Sequence, residues 1–268
     1  DPKDKIGLLK LIQQAQTFEF EEKYADAERV YDEIVAEIPD SPESYVNLAI
    51  VQARQNRLDR AVRTLESGIA RMPDSEVLLV RLGHTHLVSG KPGEALEAME
   101  KALAFNPQSV DALTVIAGIL DAAGRKAEAR AHYERALEVE PESFHLRTSY
   151  AASLASTGAL KEAIVVYEKL IEDFPEEQAL YQFAGIAHSY LGAYDRAISL
   201  LSRALAIRPT PVGYFNLAVA YRKRGDIKEA AAALRMYLEN SGGESEENIG
   251  RARAELESLE KKIGAGTT

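Results

Sequence analysis

The sequence predicts an all-α protein built as a solenoid, and three recurrences carry that prediction. Prolines return every 34 residues, at Pro39, Pro73, Pro107, Pro141, Pro175 and Pro209. Small residues hold two fixed places in each period: Ala15, Ala49, Gly83, Ala117, Ala151 and Gly185, then Ala27, Ala61, Ala95, Ala129, Ala163 and Ala197. Between those two places stand Gly90, Gly124, Gly158 and Gly192. A fixed period of this length marks supersecondary units that bury their apolar faces only by stacking on one another.

Each feature has a structural reason. The prolines follow apolar helical runs, where a residue without an N–H ends a helix and cannot continue it. Two recurring small residues imply two helices per unit whose backbones approach closely where they cross. The glycines are placed to close the first helix of each unit in the left-handed conformation. Asn56 fills that place in the second unit as a permitted substitute, whereas Glu22 in the first departs from the rule. Asp1 and Pro2 make a good helix start, and the first helix, from about residue 3 to Phe20, is longer than its counterparts.

The C-terminal end changes pattern. A seventh unit has lost one residue and fits only from Pro211, with Tyr214, Leu217, Ala218, Tyr221, Gly225 and Ala230 in register. Gly242 stands where the next proline is due, and Tyr237 replaces the usual alanine, which implies altered packing there. After Gly243 a helix is expected from Ser245, its N-cap, to Ile263. Its apolar residues Ile249, Ala252, Leu256, Leu259 and Ile263 are spaced by three and four, so one face is buried. A terminal helix of this kind covers the stacking face that the last unit would otherwise expose.

Tyr45, Leu48, Ala49, Ala61, Leu65 and Pro73, and again Leu82, Gly83, Ala95, Ala102 and Pro107, fall in one pattern. It resembles the tetratricopeptide repeat (TPR) family, over nearly the whole chain. The resemblance implies a right-handed superhelix of tandem helix-turn-helix units. They fall at about 8–41, 42–75, 76–109, 110–143, 144–177, 178–210 and 211–243, within residues 1–243. A capping helix over 244–263 and a disordered tail over 264–268 complete the expected organisation.

Composition narrows the function. With 28% charged and 46% hydrophobic residues the balance is that of a soluble folded chain. A net charge of -10 argues against nucleic acid, because phosphate binding needs a basic footprint. The absence of cysteine excludes disulfides, thiolate metal sites and cysteine nucleophiles. No apolar run reaches the length of a membrane span. His84 and His86, two apart on a helix, point to different faces and make poor co-ligands. Gly90, Lys91 and Gly93 lack the spacing of a phosphate loop. The expectation is therefore a protein with no catalytic residues, no cofactor and no metal.

In TPR proteins the first helix of each unit lines a concave groove, and the resemblance assigns that groove here. It offers Asn47, Arg54, Arg81 and His84 in the N-terminal third. Small, weakly polar residues such as Thr114, Gly118, Thr148 and Ser156 follow. Gln182, Phe183, Tyr190, Phe215, Asn216 and Arg222 line the C-terminal third. Aromatic anchors and cations suit a protein or peptide segment with apolar side chains and some acid. The carboxylate-clamp pattern of the family is not met: Asn47 and Arg81 match, but Ile12, Gln16 and Val77 stand at its other three positions.

The leading reading is a protein-interaction scaffold. The alternative is the accessory TPR tail of a larger enzyme, of the O-linked N-acetylglucosamine transferase or sulfatase-like hydrolase type. The opening Asp1-Pro2-Lys3-Asp4-Lys5 and the absence of an initial Met suggest a fragment or processed product. Self-association through repeat ends or convex faces is a third reading, and both cytoplasmic and exported locations fit.

Overall fold

The computed structural model describes residues 2–265 and divides into two compact units, residues 1–141 and 142–268. The described residues form fifteen α-helices and no strand. In the first unit these are α1 (Pro2–Phe20), α2 (Tyr24–Glu37), α3 (Pro42–Arg54), α4 (Leu58–Arg71), α5 (Glu76–Val88), α6 (Pro92–Phe105), α7 (Val110–Ala122) and α8 (Lys126–Val139). In the second they are α9 (Phe144–Ser156), α10 (Leu160–Asp173), α11 (Gln178–Tyr190), α12 (Tyr194–Ile207), α13 (Pro211–Arg224), α14 (Ile227–Glu239) and α15 (Glu246–Ala265).

Helix ends follow from the periodic residues. Ile38, Met72, Asn106, Glu140, Phe174 and Arg208 each precede a proline and leave the helical region, with φ between -149 and -125. The first helix of each pair ends in one recurring motif. Gly90, Gly124, Gly158, Gly192 and Gly225 have positive φ, and so do Asn56 (60°) and Glu22 (56°). The amide after each donates to the carbonyl five residues back, as from Arg57 to Gln52 (2.9 Å) and Lys23 to Phe18 (2.8 Å). Glu22 thus takes the glycine's conformation without being glycine.

Within each unit every helix packs on the next, and the first helices of neighbouring pairs also touch: α3 with α5, α5 with α7, α11 with α13. The small residues sit at these crossings. Ala49, Ala61, Ala95, Ala129, Ala163 and Ala197 are fully or almost fully buried. At Gly185 a Cβ would come within 2.8 Å of Leu201 Cγ, so the close approach requires glycine there.

One element of the first core was not visible in the period. Glu28 on α2 is buried; its carboxylate accepts from Gln52 (3.3 Å), Gln55 (2.8 Å) and Arg57 (3.1 Å), and forms an ion pair with Arg60 (3.1 Å). Gln52 in turn accepts from Thr64 (2.8 Å), so α2, α3 and α4 share one polar network. In the second unit Arg147 is buried at a position that holds a large apolar residue elsewhere, and it pairs with Asp173 at 2.7 Å.

The last helix runs to Ala265, so Gly264 and Ala265 belong to it and not to the expected disordered tail; residues 266–268 and Asp1 lie outside the described residues. Ser245 Oγ accepts from the Asn248 amide at 3.3 Å, satisfying one free N–H of the first turn. Ala252 and Leu259 are buried against α14, with Leu256 and Ile263 beside them. Tyr237, the large residue in an alanine's place, is buried in that same cluster.

Candidate functional site

The groove residues named from the sequence fall on α3, α5, α11 and α13, which are first helices of their pairs. In the first unit Arg54, Arg81 and His84 line one cavity of about 460 Å3, together with Ile50, Leu58 and Val88. Asn47 is half-buried and lies outside its lining. Among the described residues neither arginine has an ion pair. Burial holds the His84 imidazole below its usual pKa; Asp111 opposes that shift and Arg81 reinforces it. The lining thus combines apolar side chains with two guanidinium groups.

In the second unit Tyr190, Phe215 and Asn216 line a cavity of about 310 Å3. Ile186, Ser189, Val219 and Lys223 line it too, with Leu201 and Tyr194, two residues of α12 that the groove pattern does not pick out. Tyr190 is 78% exposed, an aromatic ring held largely in water. Lys223 has no ion pair among the described residues.

Four of the expected groove residues already have partners within the chain. Phe183 lies against the buried Tyr167 ring and Phe215 against the buried Tyr237 ring, each pair with centroids 5.8 Å apart. Gln182 accepts from Gln178 at 2.9 Å. The Arg222 guanidinium meets Glu255 of α15 at 2.9 Å, so the terminal helix already supplies its counter-charge. Glu255 is the partner that sequence reasoning missed. It stands 33 residues beyond Arg222, close to one period, which is the separation at which neighbouring pairs meet.

The described residues hold no group of three or more His, Cys, Asp or Glu arranged to bind a metal ion, and none of their helices is long and apolar enough to cross a membrane.

Paired helices with close crossings, left-handed first-helix ends and a covering terminal helix define a helical-repeat protein. Models described as tetratricopeptide repeat match residues 21–81 and, for a second model, 80–138, 119–177 and 184–245. The chain belongs to the tetratricopeptide repeat family, with about seven tandem repeats and a C-terminal capping helix. No curated protein matches it by sequence.

Solved structures share the fold. A tetratricopeptide repeat protein from Parabacteroides merdae is similar with a TM-score of 0.66 at 20% identity, over 93% of this chain and 98% of that one. The C-terminal part of a TPR repeat-containing protein from Cytophaga hutchinsonii gives 0.68 at 15% identity, over 91% and 98%. YrrB, described as a TPR protein with an unusual peptide-binding site, gives 0.59 at 21% identity, over 72% and 97%. Such repeats serve in general as protein-interaction scaffolds and are typically non-catalytic.

Proposed function

We propose that the chain is a non-catalytic scaffold that holds a segment of another protein along its first helices. The segment carries apolar side chains and acidic groups. One observation supports this reading above the rest. In each unit the cavity on the first-helix side combines an apolar or aromatic wall with cations that lack a carboxylate partner. Arg54 and Arg81 would receive acids in the first unit, while Tyr190 and Phe215 would anchor apolar side chains in the second, with Lys223 beside them. Peptide binding by a protein of this fold, as described for YrrB, is consistent with it.

The test is affinity capture followed by titration of the recovered segment, comparing the parent with Tyr190→Ala/Phe215→Ala and with Arg54→Ala/Arg81→Ala. Phe183 and Arg222 are poor choices, because neither lines these cavities and Arg222 is tied to α15. An anchor pair of this kind contributes about 2 kcal/mol or more, so affinity falls by about thirtyfold. Equal affinity of parent and both variants would rule out binding along the first helices.

A further inference from the structure

A second surface lies on the side of the second helices. A cleft of about 680 Å3 opens between α4 and α6 over α5. Ile69, Leu79, Leu82 and Ala98 form its floor, and Phe105 stands at its edge, half exposed. Its rim carries three carboxylates, Glu66, Glu94 and Glu97, against one cation, Lys101. Among the described residues, neither the Glu66 nor the Glu94 carboxylate has a hydrogen bond or ion pair.

The second unit contains the same positions three periods later, and there the carboxylate has its cation. Glu168, His188 and Arg196 stand where Glu66, His86 and Glu94 stand in the first unit. Arg196 Nη2 lies 3.3 Å from Glu168 Oε1, and His188 Nε2 lies 3.6 Å from the same oxygen. These ties link α10, α11 and α12. In the first unit the arginine's place is taken by Glu94, so the tie cannot form and two carboxylates line the same cleft. The imidazoles draw no such distinction: His86 Nδ1 and His188 Nε2 are both buried without a hydrogen-bond partner. The cleft lacks the cation that its counterpart holds.

We propose that this cleft is a second interaction surface, completed by an arginine or lysine of a partner protein. The guest cation takes the place that Arg196 fills in the other unit, and apolar residues next to it rest on Ile69, Leu82 and Phe105. A guanidinium suits the site best, because its planar fork can meet two carboxylates at once. This surface is formed by different residues from those lining the first-helix cavities, and the inference does not depend on what those cavities bind.

A fluorescein-labelled amphipathic peptide of Leu, Ala and Arg provides the probe, with a Glu-for-Arg counterpart as its control. The expected result is saturable one-to-one binding of the Arg peptide and none of the Glu peptide. Glu66→Gln/Glu94→Gln should weaken binding by about tenfold or more. Glu138→Gln/Glu239→Gln, which removes the same charge elsewhere, should leave it unchanged, as should Tyr190→Ala/Phe215→Ala. Glu94→Arg supplies the missing cation internally, and should both abolish peptide binding and raise the melting temperature. No saturable binding of the Arg peptide, equal loss in the two glutamine pairs, loss in the Tyr190/Phe215 variant, or full binding by Glu94→Arg would each overturn the proposal.

Discussion

At the scale of single residues, conformation is fixed by position in the period and not by residue preference. Glu22 has φ of 56° because the chain must reverse there, as it does at Gly90 or Gly192. A left-handed non-glycine residue costs roughly 1–2 kcal/mol, partly offset on substitution by the greater freedom of glycine when unfolded. Glu22→Gly is therefore expected to stabilise the protein by about 0.5–1 kcal/mol in denaturant unfolding, whereas a loss of stability would show that the glutamate makes a compensating interaction. Burial acts on the tyrosines in a similarly local way. It raises the Tyr133 and Tyr167 phenols to about 12, with Asp121 adding to the shift at Tyr133. Unfolded tyrosine ionises near 10, so their contribution is full below about pH 10 and is lost as pH climbs through about 12. Each contributes on the order of 2 kcal/mol. Tyr167→Phe should flatten part of the fall in stability between about pH 10 and pH 12; an unchanged profile would show that its hydroxyl reaches water.

At the scale of elements, α15 is the part whose role is easiest to test. Its buried face, Ala252 and Leu259, closes the cluster around Leu234 and Tyr237. Glu255 and Glu260 tie its rim to Arg222 and Arg235. Exposed ion pairs of this kind contribute little, so the apolar face carries most of the docking energy. Leu259→Ala should cost about 2–4 kcal/mol, while Glu260→Gln should cost under about 1 kcal/mol, both by thermal or denaturant melts. The reverse order would make α15 an electrostatic clasp and not a hydrophobic cover. What was legible in the sequence and what was not divides along the same line. Prolines, alanines and left-handed glycines act within a few residues of themselves, so their spacing announced the helix pairs. The Glu28 network, the Arg222–Glu255 pair and the engagement of Phe183 with Tyr167 join residues 16 to 33 apart. Such pairs depend on which side chain faces which across neighbouring helices. A charge in the sequence does not say whether it is already paired.

At the scale of the whole molecule, a chain built by stacking distributes its stability in a way that a single-core domain does not. Within each unit, helices pack on the next helix or on the next but one, so a local defect is felt chiefly by its neighbours. Glu28 provides a strong perturbation. Removing its carboxylate leaves buried Gln52 without its acceptor and takes from Arg57 and Arg60 a shared partner. Breaking a buried charge network costs about 3–5 kcal/mol, less here because both arginines reach water. Glu28→Ala is thus expected to lower hydrogen-exchange protection by about a hundredfold in α2, α3 and α4, while α13 to α15 keep the parent's protection. Stability would then be a sum over neighbouring pairs, and partner binding along either face would order mainly the helices that it touches. Uniform loss of protection from α2 to α15 would instead mean that the chain unfolds as one cooperative block. In that case a ligand bound at one unit would stabilise the whole, and the two faces would be linked in energy even though they share no residue.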